Sequence, residues 1–95
     1  NYYMFYDFRS EMITLLEEVK KKIVKELNPV QIQLIDNSSL HNKHKSYDSN
    51  KFHIKLIIES KKLKNMSKIE AHKLIFSILK DEMKNKIHAL EIELK

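Results

Sequence analysis

Phe52-His53-Ile54-Lys55-Leu56-Ile57-Ile58-Glu59 places apolar residues at 52, 54, 56 and 58 and mostly polar ones between them. Strict alternation over this length marks a β-strand with one buried face. Upstream, Val30, Ile32 and Leu34 alternate with Gln31 and Gln33 in the same way, which predicts a second strand. The run between them, Asp36 to Asn50, is polar and holds His41 and His44, so it reads as the loop of a long antiparallel hairpin. Downstream, Lys61 to Met66 reads as a connection with a helical turn. Ser67-Lys68-Ile69-Glu70 then has the form of a capping box. The helix it starts should face inward with Ile69, Leu74, Ile75, Ile78, Leu79 and Met83, and end on a left-handed Asn85. Ile87 to Leu94 alternates again, with His88, Leu90, Ile92 and Leu94 expected on one face of a third strand.

Ahead of the hairpin, Met12, Leu16, Val19, Ile23 and Leu27 recur at steps of four, three, four and four, the apolar stripe of an amphipathic helix. Ser10 fits its N-cap, and Asn28-Pro29 ends it because proline disfavours helix in the preceding residue. Residues 1–9 hold five of the eight aromatics and read as an aromatic-rich N-terminal extension to a single domain over 10–95. The element order is α-β-β-α-β. A hairpin needs an antiparallel pair, and a strand–helix–strand unit needs a parallel one. The fold class that satisfies both is α+β, a three-stranded mixed sheet in the order 1-2-3 with helices on one face.

Composition narrows the chemistry. Ninety-five residues with 42% hydrophobic and 33% charged content suit one folded domain. No apolar run approaches the ~20 residues that span a bilayer, so no membrane partner is expected. Glycine and cysteine are both absent. That excludes a phosphate-binding glycine loop, a nucleophile elbow, a glycine-bearing clamp for a nucleic-acid backbone, disulfides and any cysteine-only metal site. Asp36, Ser38 and Ser39 lie near His41 without the glycine turn that a hydrolytic site would use, so an enzyme is not expected. Glu17-Glu18 and Asp81-Glu82 read as solvated helix exteriors. The net charge is +5, yet all basic residues except Arg9 are lysine, which reads phosphates and guanine edges less well than arginine.

The five histidines carry the remaining signal. The loop over 36–50 lies at the starting end of the second strand, and the third strand, parallel to it, starts at that same end. His41, His44, His53 and His88 therefore converge there. His72 lies about 20 Å away along the helix axis and reads as a structural residue, and His53 as a residue of the strand's polar face. Imidazole nitrogens are frequent metal ligands. Two from one chain are too few for a closed structural zinc site and fit a site completed by a partner.

From Val19 to Leu94 the sequence resembles the BolA family. The matching residues are Leu27-Asn28-Pro29, the Ser38-Ser39-Leu40-His41 element, His44, Ser60 at the strand end and His88-Ala89-Leu90 intact. Leu63-Lys64-Asn65-Met66-Ser67 is similar to the family's Phe-x-Gly-x-Ser, and Ala71-His72-Lys73 to its Arg-His-Arg, with the first arginine lost. The resemblance implies a fold like the type II KH domain. It also implies pairing with a monothiol glutaredoxin around a bridging [2Fe–2S] cluster, with glutathione brought by the glutaredoxin. His88 would be one ligand, and His41, or alternatively His44, the second. The resemblance implies a monomer alone and a heterodimer with the partner. Lys43, Lys45 and Lys86 near those ligands, with His72 and Lys73 of the Arg-His-Arg-like element, are the expected partner-binding residues. The alternative, raised by the KH-like architecture and the +5 charge, is a nucleic-acid-binding or transcription-regulatory module with weak binding to nucleic acid.

Overall fold

The structure, a computed structural model, describes residues 2–38 and 52–95, with side chains over 11–38 and 52–95. Helix α1 (Tyr2–Leu27) is followed by strands β1 (Gln31–Asp36) and β2 (Phe52–Glu59). Short helix α2 (Lys61–Lys64), α3 (Lys68–Ile78), α4 (Lys80–Asn85) and strand β3 (Ile87–Leu94) complete the chain. The sheet order is β1-β2-β3, with β1 antiparallel and β3 parallel to β2. The α+β class and the mixed three-stranded sheet agree with the expectation.

Phe52, Ile54, Leu56 and Ile58 face the helices and are buried, as the alternation requires. Leu15, Val19 and Ile23 of α1 and Ala71, Ile75 and Leu79 around α3 meet them, each fully buried. Leu15 takes the central place expected of Leu16, which packs only at the margin. The stripes 12, 15, 19, 23, 27 and 12, 16, 19, 23, 27 have the same mean period, so it is the packing of the helix on the sheet, not the period, that selects Leu15. Ile69, expected inward, is 69% exposed. It falls in the first turn of α3, ahead of the inward series at 71, 75 and 79.

Helix boundaries differ from expectation at the start of α1 and at the end of the helix expected over 68–85; the end of α1, just before Asn28-Pro29, agrees. The first helix extends back to Tyr2, so Ser10 lies inside it rather than at its cap; residues 2–9 contain neither glycine nor proline to stop it. At its other end Asn28 takes φ 41° and its N–H reaches the Val24 carbonyl at 3.0 Å, a left-handed stop that asparagine tolerates. The helix expected over 68–85 is divided at Leu79 into α3 and α4, and Asn85 remains helical, with Lys86 capping at φ −129°. The capping box is as expected: Ser67 Oγ accepts from the Glu70 N–H at 3.1 Å, and the Glu70 carboxylate accepts from the Ser67 N–H at 3.0 Å.

Candidate functional site

The starting ends of β2 and β3 lie side by side, and a bulge shapes them. Phe52 is opposite Ile87, but His53 is opposite Ala89, so His88 is the extra residue in β3. Parity explains its consequence. Ile87 is 2% exposed, whereas the residues packed against the core further along are Leu90, Ile92 and Leu94. An odd position and a series of even positions share one face only if the strand slips by one residue between them. The slip takes His88 off the core face, where simple alternation had placed it, and leaves it exposed. Its ring lies 4.9 Å from that of His53, centroid to centroid, at 47°.

The end of β1 is pinned to the same place. Asp36 Oδ1 accepts from the Ser38 N–H at 2.8 Å, closing a local turn. Ser38, 2% exposed, accepts from the His53 N–H through its hydroxyl at 3.1 Å, and the Asn37 N–H donates to the His53 carbonyl at 2.8 Å. The Phe52 N–H donates to the Lys86 carbonyl at 2.9 Å, fixing the turn that feeds β3. The chain thus leaves the described part at Ser38 and re-enters at Phe52, both beside His53 and His88. His41, Lys43, His44 and Lys45 lie outside the described residues.

The other expected residues fall as follows. Lys86 precedes the bulge, and its ammonium is 3.5 Å from Glu18. His72 and Lys73 sit on α3, which begins beyond the opposite end of β2, so they form no part of the His88 surface. His72 Nδ1 is 2.8 Å from the Lys68 carbonyl, which only accepts, so that nitrogen carries the proton. With Lys68, Ile69 and Phe76 these two residues line a shallow depression. Glu82, read from sequence as solvated, is 2% exposed and its carboxylate lies 2.6 Å from the Lys22 ammonium.

The residue that sequence reasoning undervalued is His53. Alternation placed it on the polar face, but its contact with His88 depends on the bulge. The parity break between Ile87 and Leu90 was the signal available for it. Chemically the site offers two imidazoles in ring contact at an exposed sheet end. That donor set suits nitrogen ligation of a borderline metal such as iron. Among the described residues no group of three or more His, Asp or Glu side chains is arranged to hold a metal, and the chain contains no cysteine, so any thiolate would come from another molecule.

The family model described as BolA-like protein matches residues 23–95. A BolA-like protein of Dictyostelium discoideum is 43% identical over 76 residues, 79% of this chain and 64% of that protein. The protein named DNA-binding transcriptional regulator BolA in Haemophilus influenzae is 30% identical over 82 residues, covering 86% of this chain and 77% of its own length. Among solved structures, the BolA domain of SufE1 from Arabidopsis thaliana superposes with a TM-score of 0.72 at 34% identity, covering 83% of this chain and 87% of that one. The chain spans about two thirds of the Dictyostelium relative's length and 22% of that of the full Arabidopsis protein, SufE-like protein 1.

Proposed function

This chain belongs to the BolA-like family, and on that premise we propose that it is a non-enzymatic adaptor that pairs with a monothiol glutaredoxin and lends histidine ligands to a bridging [2Fe–2S] cluster. The observation that carries the reading is the bulge at His88. It turns an imidazole out of the core, exposes it, and sets it at the sheet end where the segment bearing His41 and His44 leaves and returns.

His88 is the first ligand in this reading and His41 the second, with His44 as its alternative. His41 follows Ser38 by three positions in the sequence. His53 stands against the ring of His88 and would limit the orientations it adopts. The cluster, once shared, would supply electron-transfer chemistry. The protein's part is to present nitrogen donors, which raise a cluster's potential relative to thiolates. This sequence has no cysteine, so in this reading the sulfur ligands come from the glutaredoxin and its glutathione. Lys43, Lys45 and Lys86 would steer that partner toward this end. The name of the SufE-like relative, which carries a BolA domain, supports a role connected with iron–sulfur assembly.

The test is reconstitution with a monothiol glutaredoxin, glutathione, iron and sulfide, followed by visible absorption and size measurement. A coloured one-to-one complex is expected. Glutaredoxin that forms the same coloured species with or without this chain would refute the proposal. A second reading, nucleic-acid binding, is favoured by the name of the Haemophilus relative and the +5 charge. Salt-dependent binding with sequence preference at physiological ionic strength would support it.

A further inference from the structure

A buried carboxylate lies where α1 meets α4. Glu82 is 2% exposed, and one of its oxygens, Oε2, lies 2.6 Å from the Lys22 ammonium of α1. The other, Oε1, is buried with no hydrogen-bond partner. Glu18 lies one helical turn before Lys22 on the same face of α1, and its own cation partner, Lys86, lies one turn after Glu82, so the two carboxyls face the same α1–α4 seam. Glu18 is itself 3.5 Å from the ammonium of Lys86 at the α4–β3 turn. Asp81, next to Glu82 on α4, adds negative charge near Lys22. Two ionised carboxylates only accept, so the Oε1 atom stays unsatisfied while both are charged. One proton held by Glu18 gives it a donor.

We propose that Glu18 and Glu82 form a proton-sharing carboxyl pair that, with Lys22 and Lys86, latches α1 to the turn feeding β3 and tightens on taking up one proton. The latch reaches the candidate site through the backbone. The Lys86 N–H donates to the Glu82 carbonyl at 2.8 Å, and the Lys86 carbonyl accepts from the Phe52 N–H at 2.9 Å. The proposal concerns the fold of this chain alone and does not depend on the cluster-binding reading.

The electrostatics agree in direction. Hydrogen bonding to Glu82, and then burial, hold the Glu18 carboxyl above the usual glutamate range. Burial is the largest influence on Glu82 and works upward, but the hydrogen bonds with Glu18 and Lys22 outweigh it and its net shift is downward. A raised acid stabilises the fold at low pH and loses that contribution as pH rises through its folded value. A lowered acid stabilises at high pH and loses its contribution as pH falls through its folded value. Both contributions coexist in the window between the two, around the ordinary glutamate range.

The test compares urea unfolding of the wild type and Glu18→Gln between pH 4 and 8. Glutamine carries a permanent N–H donor. The variant should therefore be more resistant to unfolding at pH 7–8, by about tenfold in the unfolding constant, the scale of one buried hydrogen bond. The two curves should converge below the usual glutamate range. A variant no more stable than wild type at pH 7–8 overturns the proposal. The carbon-13 titration of the two carboxyls checks it without mutation. Two coupled steps, one above and one below the ordinary value, are expected; two independent ordinary titrations would refute the pair.

Discussion

The rings of His53 and His88 lie 4.9 Å apart although the strands that carry them differ in register by one residue at that point. The contact exists because β3 holds an extra residue there. Without the bulge His88 would continue the inward series of Leu90, Ile92 and Leu94. The bulge therefore separates two demands on the same strand, filling the core and exposing an imidazole.

Deleting His88 tests this directly. Removal of the extra residue makes Phe52–Ile87 and His53–Ala89 consecutive pairs, so the register becomes regular and Ile87 keeps its buried place. The deletion variant should unfold cooperatively and keep the far-ultraviolet circular dichroism of the wild type while losing any metal-dependent property. Loss of folding would show that the bulge is required by the core.

Ser38 should matter for the site more than its size indicates. Its buried hydroxyl accepts the His53 N–H. Ser38→Ala removes that bond, at a cost of about 1 kcal/mol. Urea denaturation should register the loss, and hydrogen exchange at the His53 amide should accelerate. An unchanged His53 exchange rate would mean the bond contributes nothing to holding the loop end.

Leu15 and Leu16 separate the observed stripe of α1 from the expected one. Leu15 is 0% exposed, so Leu15→Ala should destabilise by about 2–5 kcal/mol. Leu16→Ala, at the margin, should cost clearly less. The reverse order in thermal or urea unfolding would contradict the helix orientation.

The capping box of α3 gives a pH-dependent prediction. The Ser67 backbone N–H, and then the Ser67 side chain, hold the Glu70 carboxyl below its usual range. Its contribution is present above the ordinary glutamate value and is lost as pH falls through the lowered one. Ser67→Ala should cost about 1 kcal/mol at neutral pH. The pH-dependent part belongs to the Glu70 carboxylate, so the gap between wild type and Glu70→Ala should narrow on acidification, as read by urea unfolding at several pH values.

Much of this molecule was legible in its sequence because period-two and period-four patterns rest on burial alone. The alternation in Phe52–Glu59 and the Ser67–Glu70 box needed no knowledge of neighbours. What was not legible depended on contacts across the fold. Nothing local to Glu82 marks it as buried; Lys22, sixty residues earlier, makes burial tolerable. His53 acquires meaning only beside a bulged His88, although the out-of-phase Ile87 hinted at that bulge. The choice between His41 and His44 falls on residues outside those described, and it still rests on the family resemblance.

The most direct measurement is the visible spectrum of this chain reconstituted with a monothiol glutaredoxin, glutathione, iron and sulfide, taken for wild type and His88→Ala. His88 is exposed, so the substitution should leave stability within about 0.5 kcal/mol, and any spectral change would report on ligation. The expected result is a coloured heterodimer whose absorption bleaches or shifts in the variant. Identical spectra from the two proteins would contradict the assignment of His88 as a ligand.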